Sequence, residues 1–501
     1  MRPSSLRFRI HLLGTMALLA YLSMTLLSYV QAPALWGEAA APRASVFFAA
    51  LGSQSQAVTL HPSTWLAAHR LFTGKAAVIT SYWIPLVVAS AAMLLLTRTL
   101  LRLGEQRDAA AVKLIFKWSL AFTTVCSFAF PVFTQDFWLS AAWGRMIGSG
   151  VNPYHNYFTP ESLAALPLDH FPMIMTYGPF WGILSAAIMV LSGNSVLATG
   201  ILFKTLLAAA WVGSLILIYK ITEARAVRDR CLAIAVFGWT PLGVTQTLAE
   251  GHNDIVMTSL VLLWFFLLLR GRWTAPIALV ASVLSKFVTA PMFLIDAIHV
   301  VRLERVPWRR YVIRMILPAI LGLAVFASFY RSPQFFDGLR VVSAWHFLQP
   351  KQAVVAVETI FGISLAPLSF AAAAIFPALA MYWFAISLQH PAVEHNIKTA
   401  IAIMTAIVFA AIGHVWPWYL VLVLAFSALL PGWWLSRFVV GVATIAPFTL
   451  AFWWVDSLVR HQDVAALIMY VGAILWPLST RRASTSAKSA IVPYGHARRR
   501  V

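Results

Sequence analysis

The sequence predicts an all-α protein that crosses a membrane many times, and three observations support this fold class. Apolar residues make up 60% of the 501 positions and charged residues only 11%, whereas about 25% of a typical soluble protein is charged. The mean hydropathy is +0.79, and no soluble core of this length could bury so much apolar surface. Apolar runs of about 20 residues, the length of a helix that crosses a bilayer, recur along the chain.

The remaining composition excludes several other classes of protein. Glycine and proline contents are ordinary, and Cys126 and Cys231 do not stand in a metal-type spacing, so neither collagen, nor a disulfide scaffold, nor a zinc site is expected. Basic residues number 37 and acidic residues 17, for a net charge of +20. In a membrane protein Lys and Arg mark the cytoplasmic loops, so this charge predicts orientation and no nucleic-acid partner.

The apolar runs place the elements along the chain. The first run, 10–30, follows an arginine-rich start and is interpreted as an uncleaved membrane anchor rather than a signal peptide. We predict a single membrane domain over 1–480 and a basic, disordered tail over 481–501. Further spanning helices are predicted at 77–97, 113–133, 195–219, 232–249, 255–270, 311–330, 363–388, 398–413, 419–431, 437–455 and 463–478, with shorter halves at 274–285 and 288–299.

Basic clusters orient these segments. Parity requires 274–299 to enter and return as a hairpin, which puts Lys286 near the outer face. It also allows one span between 134 and 220, so 195–219 is the predicted span and 177–192 a juxtamembrane or re-entrant helix. About 12–14 segments result, with both termini cytoplasmic. The clusters are Arg2/Arg7/Arg9, Arg98/Arg102/Arg107/Lys113, Lys220/Arg225/Arg228/Arg230, Arg270/Arg272, Arg302/Arg305/Arg309/Arg310/Arg314 and the tail.

The predicted outer loops hold most of the unusual polar residues. Asp136 follows the long apolar run 113–133, and a carboxylate at the edge of the hydrocarbon is a functional candidate. The alternative is a helix-terminal residue that faces water, and position alone leaves the two open. The turn Glu250-Gly251-His252-Asn253-Asp254 has more hydrogen-bonding side chains than a connection needs. Asn253 or Asp254 is expected to cap the next helix, which leaves Glu250 and His252 unexplained.

A third group is cationic or can become so. Lys204 lies about 14 Å into its helix, which makes snorkelling to the interface difficult. Lys286 interrupts an otherwise apolar hairpin, which favours a ligand role. His346 and His414 complete the group, and the aromatic residues of 416–419 are most simply an interfacial belt. The sequence has no Gly-rich phosphate loop, nucleophile elbow or His/Cys metal cluster.

The order of these motifs resembles the polyprenyl-phosphate-dependent glycosyltransferases of the GT-C fold, and the later motifs are similar to the actinobacterial mannosyltransferases and their bacterial relatives. The resemblance covers about 134–419. It implies a GT-C-like bundle with juxtamembrane helices in the first outer loop, 134–194. The motifs are Asp136, Gly148…Gly150-x-Asn152-Pro153-Tyr154, Tyr177-x-Pro179, Gly251-His252-Asn253-Asp254, Lys286-Phe287 and Trp416-Pro417-Trp418-Tyr419.

The resemblance implies an inverting transfer of a sugar, most simply mannose, from a polyprenyl-phosphate donor to a lipid or glycan acceptor. Asp136 would be the general base, its pKa raised by the apolar boundary to suit work near neutrality. Asp254 or Glu250 would orient His252 or hold sugar hydroxyls. Donor-phosphate contacts are expected from Lys286, His252, His414, Lys204 and Arg145, and sugar or acceptor contacts from Glu250, Asn253, Asp254, Tyr154, Tyr177, His346 and Trp416.

The expected site is extracytoplasmic, in a bacterial cytoplasmic membrane, and neither a metal nor another cofactor is expected. The donor, the acceptor and membrane lipid are the expected partners. A transporter or flippase of a lipid-linked saccharide is the alternative, because buried Lys and Asp can also line a transport path. The sequence has no matching halves of the kind many transporters show. A purely structural membrane protein would leave the outer polar clusters without a purpose.

Overall fold

The computed structural model describes residues 3–36, 75–102, 108–163, 166, 173–193, 195–343, 347–450, 452 and 461–479. Within these ranges the regular structure is helical, which confirms the all-α fold class. The first ten helices are α1 (Pro3–Trp36), α2 (Lys75–Arg102), α3 (Ala109–Ser127), α4 (Asp136–Gly148), α5 (Pro160–Leu163), α6 (Pro179–Ser192), α7 (Val196–Ile221), α8 (Val227–Gly238), α9 (Pro241–Val244) and α10 (Asp254–Leu269).

Ten further helices complete the described part of the chain. They are α11 (Ala275–Ser285), α12 (Met292–Ala297), α13 (Trp308–Phe329), α14 (Asp337–Ser343), α15 (Pro350–Phe361), α16 (Ala366–Gln389), α17 (Val393–Ala406), α18 (Leu420–Leu429), α19 (Trp434–Ile445) and α20 (Gln462–Ser479). π-Helical turns extend α9, α12 and α17 at Thr245–Ala249, Ile298–Leu303 and Ile407–Ala411. 3₁₀ turns lie at Phe287–Thr289, Pro333–Phe336, Pro417–Tyr419 and Ala446–Leu450.

Seven helices of the described residues are long and apolar enough to cross a membrane, which confirms a polytopic membrane protein. An eighth span results if Val227–Gly238 and Pro241–Ala249, bent by 47°, count as one. Six apolar helices are shorter, at 10–17 residues. The predicted 12–14 segments thus combine long helices with short ones, and their number stays a prediction. The long helices are Ser4–Tyr29, Ser81–Arg102, Ala109–Ser127, Val196–Ile221, Trp308–Phe329, Ala366–Gln389 and Val393–Ala411.

One predicted span differs in a way that matters for the site. The sequence predicts a helix throughout 113–133, but α3 ends at Ser127 and the chain is irregular from 129 to 135. Pro131 has no N–H and cannot continue the helical ladder. The Phe130 N–H instead donates to Ser28 Oγ at 2.9 Å. Asp136 therefore follows an irregular segment and begins a new helix.

The predicted hairpin is present. α11 ends at Ser285, Lys286 is extended (φ −158°, ψ 120°), and the chain then runs back through α12. The two ends of the hairpin lie close together, because Nη2 of Arg314, near the start of α13, donates to the Arg272 carbonyl at 3.5 Å. α6, in the 177–192 stretch, has 14 residues and packs closely on α4. A Cβ at Gly144 would lie 2.6 Å from Ser185 O.

Four connections meet at one end of the helices and form the site. They are the irregular segment 129–135, the turn 250–254, the residues 286–289 after α11, and the segment 411–419 after α17. α10 begins at this end and has 16 residues, so Arg270 lies about 24 Å away along the axis at 1.5 Å per residue. The predicted cytoplasmic arginines and the unusual polar residues thus occupy opposite ends of the same helix.

Candidate active site

A cavity of about 580 Å³ opens where these four connections meet, and we call it the central cavity. Its wall is mostly apolar and aromatic. Among the lining residues that the structure describes, Asp136 is the one carboxylate, Lys286 and Arg340 are the cations, and His414 contributes an imidazole. Apolar contributions come from Phe133, Leu139, Trp143, Phe287, Val288 and Phe336.

Asp136 is held in place by three neighbours. It is the first residue of α4, and its backbone N–H donates to Thr134 Oγ1 at 3.0 Å. Tyr177 OH donates to Asp136 Oδ2 at 2.8 Å. His252 Nδ1 lies 3.3 Å from the same oxygen, and the Asp136 side chain is 27% exposed. The carboxylate is therefore fixed from behind and still reaches the central cavity.

These neighbours decide the protonation state of Asp136. Burial acts to raise its pKa, but contact with His252, the charge of His252, the Tyr177 hydrogen bond and the charge of Lys286 together lower the pKa below its ordinary value. The expected raised pKa is therefore wrong, because the sequence could not show which cations face the carboxyl. Burial raises the pKa of Tyr177 well above its ordinary range, so this hydroxyl stays a donor at neutral pH.

His252 contacts Asp136 and is not among the described residues that line the central cavity. Its side chain is 1% exposed, and its ring stacks on Trp418 with centroids 3.8 Å apart and planes 14° apart. Trp418 in turn stacks on Trp416 at 4.9 Å and 6°. The expected donor-phosphate contact of His252 is corrected accordingly, since the residue lies behind the carboxylate that it contacts.

Lys286 brings positive charge to the central cavity. Its Nζ lies 2.7 Å from Asp254 Oδ1, and the two side chains are 13% and 3% exposed. The ammonium also lies over the rings of Tyr419, 4.3 Å from the centroid, and Tyr177, at 5.4 Å. Asp254 therefore orients Lys286, and the expectation that it orients His252 or holds sugar is corrected. The hairpin therefore brings Lys286 to the 250–254 turn, while its predicted place near the outer face stays a prediction.

His414 and Trp416 also line the central cavity. His414 is fully buried, with Nε2 3.1 Å from Tyr419 OH. Trp416 stacks on Trp418, with ring centroids 4.9 Å apart, and packs at a tilt against Phe347, at 4.7 Å, so Trp418 covers one face of its ring. The expected interfacial belt is wrong, because Trp416 and Trp418 are 5% and 7% exposed and pack inside the protein.

A comparison with protein families now bears on this geometry. The family described as alpha-(1->6)-mannopyranosyltransferase, N-terminal domain, matches residues 10–303, more than half of the chain. The chain belongs to this family. It is therefore a membrane-embedded mannosyl-transferring glycosyltransferase, which decides against the transporter alternative. A comparison with curated proteins finds no match.

The matched region of this mannosyltransferase contains the residues gathered around the catalytic candidate. Asp136, Tyr177, His252 and Lys286 all lie within 10–303. The segment 411–419, which supplies the other side of the central cavity, lies beyond it. Lipid and glycan or lipid-linked substrates follow in general terms from a membrane mannosyltransferase.

Three expected ligands of the mannosyltransferase lie away from the central cavity. Glu250 is 1% exposed and accepts hydrogen bonds from backbone N–H groups, so it holds no sugar. Lys204 Nζ donates to the carbonyls of Leu248 and Ala249 and lines a separate apolar cavity. Arg145 lies near the far end of α4, its Nη1 3.4 Å from Ser162 O. The expected phosphate contacts of Lys204 and Arg145 are corrected.

Two further residues expected to contact sugar do not line the described wall of the central cavity. Tyr154 is 1% exposed, and its OH donates to the Tyr177 carbonyl at 2.7 Å, so it supports the backbone behind the site. Asn253 occupies the N-cap position of α10 but makes no side-chain cap hydrogen bond, and it is absent from the described cavity wall. His346 lies outside the described residues.

The structure also brings forward residues that the sequence did not single out. Tyr419 contacts both His414 and Lys286, and it stood in the sequence only as part of an aromatic run. Arg340 lines the central cavity from α14, and no local pattern sets it apart. Among the described residues, no group of three or more His, Cys, Asp and Glu side chains could hold a metal ion.

Proposed function

We propose that this mannosyltransferase moves a mannosyl group from a polyprenyl-phosphate donor to a hydroxyl of a lipid or glycan acceptor, with inversion at the anomeric carbon. The observation that carries the proposal is the ionised Asp136 carboxylate at the wall of a largely apolar cavity that also contains the Lys286 ammonium. A base, a cation and an apolar surface are the three features that such a transfer needs.

Apolar and cationic parts of the central cavity suit the two parts of the proposed donor. The aromatic and aliphatic wall suits an isoprenoid chain, whose burial is favourable at about 25 cal/mol per Å². The Lys286 ammonium suits the phosphate, since charge-assisted hydrogen bonds to phosphate oxygens are stronger than neutral ones. It would stabilise the charge that the leaving phosphate gains.

In the proposed step, the oxygen of the acceptor hydroxyl forms a bond to the anomeric carbon of mannose. At the same time an Asp136 carboxylate oxygen takes the proton of that hydroxyl. The bond from this carbon to the phosphate oxygen breaks, and polyprenyl phosphate leaves with the bonding electrons. Tyr177 and His252 keep the carboxylate oriented throughout. A single displacement inverts the anomeric centre, and a covalent route would need a second carboxylate as nucleophile. The described cavity wall has one carboxylate.

The proposed site faces the extracytoplasmic side of a bacterial cytoplasmic membrane. The support is the distribution of basic residues, since Lys and Arg are retained on the cytoplasmic side. Arg270 and Arg272 follow α10 at the end opposite to Asp254. The same reasoning puts both termini in the cytoplasm.

The test uses the full chain purified into lipid nanodiscs and a panel of radiolabelled donors. Polyprenyl-phosphate mannose, polyprenyl-phosphate glucose and nucleotide-linked mannose are each incubated with lipid and mannoside acceptors. We expect label transfer from polyprenyl-phosphate mannose, and NMR of the product should show inverted anomeric configuration. Transfer from the nucleotide sugar alone would contradict the proposed polyprenyl-phosphate donor. A product with retained configuration would contradict the proposed single displacement.

A further inference from the structure

The segment that carries Asp136 is held by a residue outside the reacting groups. Residues 129–135 are not helical, so their buried N–H groups need partners from elsewhere. Glu250 Oε2 accepts hydrogen bonds from the N–H of Val132 at 3.0 Å and of Phe133 at 2.7 Å. One carboxylate oxygen thus fixes two consecutive N–H groups, four and three residues before the proposed base.

The backbone of Glu250 is fixed by Lys204. The N–H of Glu250 donates to Thr245 O at 2.8 Å, which ends the π-helical turn 245–249. The Lys204 ammonium donates to the carbonyls of Leu248 and Ala249, the two residues immediately before Glu250. The Lys204 ammonium also attracts the Glu250 carboxylate electrostatically. Lys204 thus fixes the backbone before Glu250, and its charge opposes the burial that raises the pKa of the Glu250 carboxyl.

The same short turn contacts the Asp136 segment at two further points. Gly251 has a positive φ of 81°, and a Cβ there would lie 2.4 Å from the Phe137 ring. His252 contacts the Asp136 carboxylate itself. Glu250, Gly251 and His252 therefore contact the backbone before Asp136, the ring after it and its side chain. Tethering the backbone limits how far Asp136 can move relative to His252.

We propose that Glu250 is a positioning residue of mannosyl transfer, which acts through Asp136 by fixing the backbone of 132–133 and so the distance from the carboxylate to the central cavity. The inference rests on the proposed role of Asp136 as base. Glu250 is not itself among the described residues that line the central cavity, so its effect should appear in turnover and leave donor binding nearly unchanged.

The first test replaces Glu250 by Gln, which keeps the shape of the side chain and removes its charge. Weaker tethering should misplace the base, and a 1 Å misplacement can cost about 100-fold in rate. We expect kcat to fall about 10- to 100-fold while the donor KM stays within about twofold. Adding Lys204→Met to Glu250→Gln removes the buried ammonium that the single substitution leaves without its counter-charge, and it gives a second variant to measure if the single one does not fold. The double variant should also show low kcat with an unchanged donor KM.

The decisive measurement is a double-mutant cycle with Asp136→Asn. If Glu250 acts through Asp136, Glu250→Gln should lower kcat in the wild-type background and add almost nothing in the Asp136→Asn background. Equal losses in the two backgrounds would overturn the positioning role. So would a wild-type kcat in Glu250→Gln. High activity in Asp136→Asn alone would instead overturn the proposed function.

Asp296→Asn is the matched control. Asp296 is another fully buried carboxylate, which accepts a hydrogen bond from Trp264 Nε1 at 2.7 Å. Trp264 lies ten residues along α10 from Asp254, about 15 Å away at 1.5 Å per residue. A purely structural carboxylate should lower the melting temperature and leave the kcat of the folded enzyme unchanged. If Glu250→Gln behaves in this way, Glu250 is structural and the inference is wrong.

Discussion

At the scale of single residues, the chemistry depends on what surrounds Asp136. Tyr177 and His252 contact one oxygen of the carboxylate, at 2.8 and 3.3 Å. Burial on its own would favour the protonated acid, and these contacts with the Lys286 charge reverse that preference. The base is therefore already ionised when the acceptor arrives.

Asp136→Asn should abolish most of the turnover and preserve the fold. Asparagine keeps the shape and the ability to accept from Tyr177, but it cannot take a proton. We expect kcat to fall by about 10²–10⁴ with little change in donor binding. Radiolabel transfer and donor binding by the same nanodisc preparation provide the two measurements. Near-wild-type transfer would remove Asp136 from the mechanism.

His252→Phe should change the pH dependence of activity. Phenylalanine keeps the stack on Trp418 and removes the contact and charge that most strongly oppose burial, so the pKa of Asp136 rises. A carboxylate base is lost as pH falls through its pKa, so the acidic limb should move to higher pH. The check is kcat/KM between about pH 4 and pH 8 in both proteins. An unmoved acidic limb would contradict the assigned contact.

Lys286→Gln should weaken donor binding more than turnover. Losing a charge-assisted hydrogen bond costs about 1.5–3 kcal/mol, or about 10- to 150-fold in donor KM. The same change leaves the buried Asp254 carboxylate uncompensated, so Lys286→Gln with Asp254→Asn serves as the control. Lys286→Arg should rescue in part, because the guanidinium differs in reach and geometry. An unchanged donor KM in both glutamine variants would show that Lys286 is no phosphate ligand.

Sequence reasoning identified some residues of the site and misjudged others, and the errors have one physical reason. It identified Asp136, Tyr177, Lys286 and His414 as special, and all four line the central cavity. It misjudged Glu250 because a polar turn has two sides, and the sequence does not say which side faces the cavity. That direction is set by packing at Gly251 against Phe137, a contact between distant parts of the chain.

At the scale of elements, close contacts between connections set the position of the site residues. Gly178 is the N-cap residue of α6, and its N–H donates to Ser285 O at 3.0 Å. A Cβ at Gly178 would lie 2.1 Å from Leu284 O. The end of α11, and with it Lys286, therefore rests directly on the start of α6.

Gly178→Ala should displace Lys286 without altering any charged residue. Its φ of −73° suits any residue, so the effect is steric. Because the clash is with backbone, we expect a loss of about 1–3 kcal/mol in stability and a raised donor KM. Gly148→Ala is the control, since nothing lies within 4 Å of a Cβ there. Thermal unfolding and donor titration of both variants check the prediction, and equal behaviour would contradict the contact.

Hydropathy predicted the elements better than their ends. Helices follow nearly all of the predicted runs, because burial and bilayer length act over many residues. The run 113–133 was too long by six residues, because its last part is apolar but packs as irregular backbone held by Glu250 and Ser28. Side-chain acceptors from distant helices leave no periodic signal in the segment that they satisfy.

At the scale of the whole molecule, the threading can be tested with one span. α13 has 22 residues and about 33 Å of length, enough for a hydrocarbon core of about 30 Å. Arg309 near its start and Gln334 beyond its end are both exposed. Position 162, in the same predicted outer loop as Asp136, is a poor probe because Ser162 is 4% exposed.

Single cysteines at these two positions should label from opposite sides. In a background without Cys126 and Cys231, a cysteine at Gln334 should react with an impermeant maleimide added to intact cells. A cysteine at Arg309 should react only after the membrane is opened, because the basic cluster 302–314 is expected in the cytoplasm. Labelling of both positions from outside, or the reverse pattern, would contradict the threading and the proposed side of the reaction.

The row of aromatic rings behind Asp136 limits how the two parts of this enzyme can be separated or exchanged. His252 stacks on Trp418, Trp418 stacks on Trp416, and Trp416 packs against Phe347. These three aromatic residues lie beyond residue 303, where the family match ends. A fragment cut at that boundary would retain the base and its histidine but expose the imidazole face that Trp418 covers. Chimeras that exchange the two parts between relatives must therefore keep an aromatic residue at position 418 together with residues 10–303, or the histidine loses its stacking partner.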